Sequence, residues 1–234
     1  MLTDFHSHIL PGVDDGSADP EQSLEMLRME AEQGVCRVVA TPHFYPRHDD
    51  PVSFLRRRAR GAEKLAERIA GESGLPELVL GAEVHYYPGM SESNVLSQLA
   101  IGNGKCIMIE MPGAPWTEKM FRELELIYEK QGLIPVIAHI DRYIGLWNAG
   151  RIFRRLAQSP VLIQANGAFF TRRATAGLAL RLLREGKIHV LGSDCHNCFD
   201  RPPDLGEAMK VISGKLGDTY LEQIRYYGCK ILER

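Results

Sequence analysis

The chain has 234 residues, 44% of them hydrophobic and 25% charged, with a formal net charge of -2 and five cysteines. These values exclude disordered, collagen-like and disulfide-scaffold classes, and the charge disfavours a nucleic-acid partner. With no apolar run near the roughly 18 residues of a membrane span and no signal-peptide pattern at the start, we expect one domain, residues 1–234, in a reduced cytoplasmic protein without membrane insertion.

Short apolar runs alternate along the chain with longer segments of helical periodicity. The predicted strands are Met1–Phe5, Cys36–Ala40, Leu78–Ala82, Cys106–Ile109, Pro135–Ala138, Val161–Ala165 and Ile188–Leu191. The predicted helices are Glu21–Gln33, Ser53–Ala70, Thr117–Gln131, Trp147–Gln158, Ala174–Glu185 and Pro203–Lys215. This alternation is typical of parallel strands joined by helical crossovers. Seven strands favour an α/β barrel, and an open doubly wound sheet is the alternative.

Residues that commonly bind metals stand where most of the apolar runs end. In a parallel barrel these ends meet on one face, where catalytic groups are assembled from several strands. The residues expected to converge there are His6, His8, His43, Glu83, Glu110, His139, Asp194 and His196. His6 and His8 are two apart in an extended segment, so their side chains point to the same side. Five imidazoles and three carboxylates exceed the needs of one divalent ion and predict two or three.

Six motifs give the chain a resemblance to a known family. They are Asp4-Phe5-His6-Ser7-His8 with its continuation to Gly16, Ala40-Thr41-Pro42-His43, Gly81-Ala82-Glu83, Ile109-Glu110, Ala138-His139-Ile140-Asp141-Arg142-Tyr143 and Gly192-Ser193-Asp194-Cys195-His196-Asn197. In order and spacing, the chain resembles the polymerase-and-histidinol-phosphatase (PHP) superfamily. Within it, the chain is most similar to the bacterial capsule-biosynthesis tyrosine phosphatases of the CpsB/YwqE type. The resemblance implies a distorted, TIM-like (β/α)7 barrel with a trinuclear metal site at the C-terminal ends of the strands.

The resemblance also implies roles for particular residues. The implied ligands form three groups, the first two of which share Glu83: His6, His8, Glu83 and Asp194; Glu83, Glu110 and His139; and Asp15, His43 and His196. Asp15 is the implied ligand of the Asp14-Asp15 pair, and Asp14 is a candidate partner behind the ligands. Arg142 and Arg201 match positions that bind phosphate. Manganese is favoured by the resemblance, and iron or zinc also suits these donors.

Such a centre is suited to a phosphate dianion. Three divalent ions outweigh the four ligand carboxylates by about two positive charges. The expected mechanism is attack of a metal-bridging hydroxide on phosphorus, with Arg142 and Arg201 stabilising the equatorial oxygens. By resemblance, the substrate is phosphotyrosine on the C-terminal tail of a bacterial tyrosine autokinase in capsular or exopolysaccharide biosynthesis. A homo-oligomer is compatible with these features.

Other functions are compatible with the same barrel. A small-molecule phosphatase such as histidinol phosphatase would share the metal centre, although Glu110 stands where that branch more often has His. A nuclease is disfavoured because the chain lacks a basic stripe with interleaved aromatic residues. A non-catalytic binding domain is disfavoured because the ligand set is complete.

Two further features allow more than one interpretation. Cys195 and Arg201 have the Cys-x5-Arg spacing of thiolate-dependent tyrosine phosphatases, but no glycine stands between them to let N–H groups surround a phosphate. Aromatic residues follow two strand ends, at Phe44-Tyr45-Pro46 and Tyr86-Tyr87-Pro88, with His85 beside the second. They are candidates for flanking a phosphotyrosine ring, and local packing is the alternative. Trp116 and Trp147 are expected in the core or an interface.

Overall fold

A computed structural model describes residues 1–144 and 149–232. Within these residues the strands are β1 (Leu2–Ser7), β2 (Val35–Ala40), β3 (His43–Phe44), β4 (Glu77–Leu80), β5 (Glu83–His85), β6 (Cys106–Glu110), β7 (Ile134–Ile137), β8 (Leu162–Asn166) and β9 (Val190–Gly192). The helices are α1 (Pro20–Glu32), α2 (Pro51–Ile69), α3 (Leu96–Leu99), α4 (Glu118–Gln131), α5 (Asp141–Ile144), α6 (Ala149–Leu156), α7 (Gly167–Thr171), α8 (Ala176–Arg184), α9 (Leu205–Leu216) and α10 (Asp218–Leu232).

The strands form a closed ring of seven positions. Two residues separate β2 from β3 and β4 from β5, so each of these pairs fills one position. Parallel pairing runs through β1-β2-β4 and through β3-β5-β6-β7-β8-β9. β1 meets the end of β9 where the His8 N–H donates to the Cys195 carbonyl at 2.8 Å. The predicted barrel is therefore confirmed, and the open doubly wound sheet is wrong.

The contact that closes the ring requires glycine at the end of β9. A Cβ atom at Gly192 would lie 2.5 Å from the Cβ atom of His6 and 2.8 Å from its backbone nitrogen. No side chain fits in that space without moving one strand, because real Cβ contacts are not this short. Gly192 thus lets β9 approach the part of β1 that carries His6.

The helices follow the predicted segments closely where capping signals are present. Asp19 caps α1 by accepting a hydrogen bond from the Gln22 N–H at 2.9 Å, and Pro20 occupies the first turn. Leu24 and Leu27 then turn the apolar face of α1 towards the core. Of the predicted segment that begins at Trp147, the described part forms α6, and Trp147 lies outside the described residues.

The C-terminal helix α10 is absent from the sequence prediction. It packs against β1 and β9, and Gly228 brings its backbone close to the ring of Phe5. Its Ile231 joins a buried cluster with Phe5 of β1, Met108 of β6 and Val136 of β7. This helix therefore covers strands on which the candidate site is built. None of the helices described has the length and apolar character needed to cross a membrane.

Candidate metal centre

The barrel brings all nine predicted metal ligands together at the C-terminal ends of its strands. Each has a polar atom within 3.7 Å of a polar atom of another member of the set: His6, His8, Asp15, His43, Glu83, Glu110, His139, Asp194 and His196. Six of the seven strand positions contribute to the set, and Asp15 comes from the loop between β1 and α1. We name this set of nine residues the nine-ligand cluster.

Glu83 lies at the middle of the nine-ligand cluster and is buried. Its Oε2 atom is 2.8 Å from His43 Nδ1 and 3.3 Å from His6 Nε2, and its Oε1 atom is 2.7 Å from His139 Nε2. Burial alone would raise the pKa of Glu83, but the neighbouring histidines, His6 above all, hold it well below its usual range. Glu83 is therefore a carboxylate that can face more than one cation.

Asp14 orients His8 from behind. The Asp14 Oδ2 atom is 2.7 Å from His8 Nδ1 and accepts a hydrogen bond from the His43 N–H at 2.8 Å. His8 Nε2 is thereby directed at Asp194 Oδ1, 3.4 Å away. Burial would lower the pKa of His8, but the Asp14 and Asp194 carboxylates raise it to about 10. Such a carboxylate behind an imidazole is the usual partner of a metal-binding histidine.

Asp15, next in the chain, faces a different part of the cluster. Its Oδ1 atom is 3.6 Å from both His43 Nε2 and His196 Nε2, and its side chain is 67% exposed. His8, Asp15, His43 and His196 each offer an atom, and these atoms all lie within 4.8 Å of one another. The structure thus places Asp14 behind the clustered donor atoms and Asp15 among them.

Glu110 and His139 complete the nine-ligand cluster around Glu83. His139 Nε2 is 3.7 Å from Glu110 Oε1, and Glu110 Oε2 is 3.0 Å from His85 Nδ1. Glu110 also belongs to a group with His43 and Glu83 whose donor atoms lie within 4.8 Å of one another. His85, the candidate beside Tyr86-Tyr87-Pro88, therefore contacts the cluster through Glu110.

Arg142 and Arg201 converge on one carboxylate of the cluster. Arg142 Nη2 and Arg201 Nη2 contact different oxygens of Asp194, the second at 2.8 Å. Both guanidinium side chains are about 40% exposed, at 42% and 40%. Asn166 Nδ2 donates to Asp194 Oδ2 at 3.1 Å. A cavity of about 310 Å³ is lined by both arginines and by Arg172, together with the carboxyl groups of Asp141, Asp194, Asp200 and Asp204. An anion in this cavity would lie beside the nine-ligand cluster.

Two residues of the cluster have a left-handed backbone. His139 has a φ of 30° and Asp194 a φ of 56°, and these are the positive values of non-glycine residues in the part of the chain described. L-residues adopt this region at a cost in energy, and such positions concentrate at functional sites. The backbone thus leaves the common φ range at two residues that lie shortly after β7 and β9, and both of these residues belong to the nine-ligand cluster.

The donor set fits divalent metal ions. Imidazole nitrogens and carboxylate oxygens at these separations suit manganese, iron or zinc. His196 supplies a further observation, because its Nε2 atom is buried and makes no hydrogen bond to any described residue. Burial lowers the pKa of His196 to about 4, and the nearby charges of His8 and Arg201 act in the same direction. Because His196 Nδ1 lies 3.0 Å from the Asp194 carbonyl oxygen and donates to it, the neutral ring presents an unprotonated Nε2 to the group formed with Asp15 and His43.

Comparison with known proteins places the chain in a family. The family model described as capsular polysaccharide synthesis, CpsB/CapC, matches residues 2–232. The chain belongs to the CpsB/CapC family. Tyrosine-protein phosphatase YwqE of Bacillus subtilis is 30% identical over 226 residues, which cover 92% of this chain and 85% of YwqE. Tyrosine-protein phosphatase CpsB of Streptococcus agalactiae is 28% identical over 237 residues, covering 95% of this chain and 94% of CpsB.

A solved structure agrees with this assignment. It is one chain from the crystal structures of YwqE from Bacillus subtilis and CpsB from Streptococcus pneumoniae, described as unique metal-dependent tyrosine phosphatases. The TM-score is 0.85 at 26% sequence identity, and the match covers 99% of this chain and 94% of the other. The predicted resemblance to the capsule-biosynthesis phosphatases is therefore confirmed at the level of the CpsB/CapC family and its fold.

In this CpsB/CapC chain, Cys195 is not arranged as a nucleophile. The thiol is fully buried, and burial together with the Glu30 carboxyl raises its pKa well above the usual range. The loop N–H groups that would surround a phosphate are also engaged. Asn197 Oδ1 accepts hydrogen bonds from the N–H groups of Phe199, at 2.8 Å, and Asp200, at 2.7 Å. The Cys-x5-Arg spacing therefore does not form an anion-binding loop.

Gln164 contributes to the centre in a way that the sequence interpretation missed. Its Oε1 atom accepts a hydrogen bond from the His139 N–H at 2.5 Å and lies 3.3 Å from His6 Nδ1. Its Nε2 atom donates to Asn166 Oδ1 at 2.9 Å. Gln164 and Asn166 share one face of β8 because they are two residues apart. Two polar side chains on the same face at the end of a strand were the sequence signal that could have identified Gln164.

Proposed function

We propose that this chain is a metal-dependent protein-tyrosine phosphatase in capsular or exopolysaccharide biosynthesis. The observation that carries the proposal is the position of Arg142 and Arg201, which approach the nine-ligand cluster at the shared carboxylate of Asp194. A phosphate monoester in the adjoining cavity would meet two guanidiniums and the cluster together. Membership of the CpsB/CapC family supports the same activity, because its relatives YwqE and CpsB are named tyrosine-protein phosphatases.

We further propose that three divalent ions, manganese in the first instance, are held by the nine-ligand cluster. The overlapping groups of donor atoms support more than one ion, with Glu83 shared between groups. When bound, the ions supply an activated water as nucleophile and offset the charge of the phosphate. Asp14 keeps His8 oriented, and Gln164 fixes the backbone of His139.

Arginine is the suitable residue for the task assigned to positions 142 and 201. Its planar guanidinium can donate two parallel hydrogen bonds to two phosphate oxygens. Asp194 holds both groups at the edge of the cavity, so little side-chain freedom remains to be lost when phosphate binds. Asp141, next to Arg142 in the chain, is our candidate for a general acid, and one of its oxygens accepts a hydrogen bond from the Asn166 N–H at 3.0 Å. A phenolate leaving group places a small demand on such an acid.

The proposed physiological setting follows the family. We infer that the substrate is phosphotyrosine on the C-terminal tail of a bacterial tyrosine autokinase, that the enzyme acts in the cytoplasm, and that residues 1–234 form one domain. The match of the CpsB/CapC model to residues 2–232 supports a single unit. The net charge of -2 supports a protein substrate over nucleic acid.

Comparing three substrates tests the proposed activity. Protein supplied with Mn²⁺ is expected to hydrolyse a phosphotyrosine peptide with a kcat/KM at least about 100-fold above that for histidinol phosphate, and to leave single-stranded DNA intact. A preference for histidinol phosphate would instead support the small-molecule phosphatase. Cleavage of the DNA without phosphatase activity would support a nuclease.

Replacing either phosphate-binding arginine by lysine is expected to lower phosphatase activity strongly. Arg142→Lys and Arg201→Lys each keep the positive charge but remove the paired donors. We expect each to lower kcat/KM for the phosphotyrosine peptide by about 10- to 100-fold. Arg60→Lys, at an exposed position of α2, is the matched control and should leave kcat/KM unchanged. Unchanged rates in both site variants, measured with equal metal content, would contradict the phosphate-binding role.

Removal of the Cys195 thiol is expected to have little effect. Cys195→Ala should keep kcat/KM for the peptide within about threefold, because the buried thiol is protonated and lies outside the nine-ligand cluster. Cys36→Ala, at an exposed cysteine, is the control. A loss of about 1,000-fold in folded Cys195→Ala protein would restore a thiolate mechanism.

A further inference from the structure

A second cavity, of about 510 Å³, adjoins the nine-ligand cluster and has a different character. Its lining includes Tyr45, His85, Tyr86, Tyr87 and Met120. These residues come from the last residue of β5, from the segments after β3 and β5, and from the first turn of α4. We name this space the tyrosine-lined cavity. Its volume is within the range of about 300–1,000 Å³ that is common for small-ligand sites.

The tyrosine-lined cavity and the nine-ligand cluster share a wall. The ring of Tyr45 stacks on the ring of His43 with centroids 4.9 Å apart and an interplanar angle of 29°. His85 Nδ1 lies 3.0 Å from Glu110 Oε2, and the His85 and Tyr45 rings are 5.7 Å apart. Two residues of the cavity therefore touch two residues of the cluster. Arg142 Nη1 lies 3.8 Å from Glu110 Oε1, so the carboxylate of Glu110 stands between the phosphate-binding arginine and the tyrosine-lined cavity.

The chemistry of the lining favours a flat aromatic group. Tyrosine rings offer faces and edges for offset or edge-to-face contact with another ring. The Met120 thioether adds a polarizable contact of the kind that sulfur makes with aromatic rings. Tyr45 is 37% exposed and Tyr87 is half-buried, so both have surface left to cover. An alkyl chain would bury apolar surface in the cavity but would not make the ring–ring contacts.

We propose that the tyrosine-lined cavity binds the phenyl ring of the substrate and selects aryl phosphates over alkyl phosphates. The proposal rests on the proposed phosphatase function and adds a specificity site to it. The phosphate would lie at the arginines beside Asp194, and the ring would extend past His43 and Glu110. The tyrosine-lined cavity then determines which phosphate monoester is preferred, whereas the nine-ligand cluster can act on any of them.

The test compares phenyl phosphate with ethyl phosphate in the full chain supplied with Mn²⁺. Tyr87→Ala is expected to lower kcat/KM for phenyl phosphate by about tenfold and to leave that for ethyl phosphate within about twofold. Because each variant is compared with the unchanged chain on the same substrate, the intrinsic reactivities of the two esters cancel. Tyr226→Ala removes a tyrosine that is 59% exposed and outside the cavity, and it should change neither rate.

A second variant guards against misfolding. Met120→Ala removes a different wall of the cavity, and the same selective loss is expected from it, with melting curves recorded for both variants. Equal losses on both esters, or no loss on either, in folded protein would overturn the proposal. If the unchanged chain hydrolyses neither ester nor the phosphotyrosine peptide, the proposed function itself fails. That result differs from a chain that is active but unselective, which overturns only the role of the cavity.

Discussion

Chelator treatment is expected to abolish hydrolysis of a phosphotyrosine peptide, and Mn²⁺ is expected to restore it. The expected loss is at least about 1,000-fold in kcat, since the nucleophile and most of the positive charge depend on the ions. The cluster's own carboxylates Asp15, Glu83, Glu110 and Asp194 would otherwise repel a phosphate dianion. The measurement is the initial rate of phosphate release before chelation, after it, and after the addition of metal.

Thermal melting provides the control for this experiment. Ions that bind the folded chain alone should raise the melting temperature as their concentration increases. A rise in melting temperature together with returning activity shows that both effects come from binding to the folded protein. Full activity in thoroughly stripped protein would contradict the metal mechanism.

Proton competition should make metal binding depend on pH. Carboxylates raise the pKa of His8 to about 10, so this imidazole carries a proton at neutral pH that a divalent ion must displace. Raising the pH therefore favours the ion, by up to about tenfold in affinity per unit for each proton released. We expect Mn²⁺ titrations of stripped protein at pH 6, 7 and 8 to show steadily tighter binding.

Glu83→Gln is expected to have the largest effect of any single substitution in the cluster. The amide keeps the shape of the side chain but removes the negative charge that faces His6, His43 and His139. We expect kcat/KM to fall by at least about 1,000-fold and the bound metal per chain to fall with it. Elemental analysis beside the rate measurement separates loss of ions from loss of chemistry.

A control at another glutamate separates this effect from a general one. Glu77→Gln changes an exposed residue of β4 that pairs with Arg37, and it should leave both metal content and rate unchanged. Surface pairs of this kind contribute little to stability. Activity of folded Glu83→Gln within about tenfold of the unchanged chain would contradict a central position for Glu83 in the metal centre.

The barrel was predictable because its signals are local. Each apolar run is short enough for a strand and most are followed by a segment of helical periodicity, and Pro20 and Asp19 mark the start of α1 within a few residues. The division of β2 from β3 was not predicted, although Pro42 lacks an N–H for the ladder and interrupts it there. The helix α10 was also missed. Leu221, Ile224, Gly228 and Ile231 have helical spacing, but they follow no predicted strand.

The candidate site was predictable to the level of residue types at strand ends. The residues alone do not predict which of Asp14 and Asp15 lies among the donor atoms. Adjacent residues in a loop point in different directions, and a loop has no periodicity from which those directions could be read. The loop conformation makes Asp14 an acceptor for the N–H of His43 and leaves Asp15 facing His196. Gln164 was missed for a related reason. Its role depends on hydrogen bonds to His139 and His6, which are distant in the chain.

The left-handed backbone at His139 and Asp194 sets stability and activity against each other. Glycine would remove the steric cost of about 1–2 kcal/mol at either position, but it would also remove an imidazole or a carboxylate from the nine-ligand cluster. Without the metal, a laboratory population selected for heat resistance alone would therefore gain by accepting glycine at these two positions, because no stability linked to bound ions is then lost. One selected for turnover would retain the strained residues. In the absence of metal, the most heat-resistant version of this barrel and its most active version are different sequences.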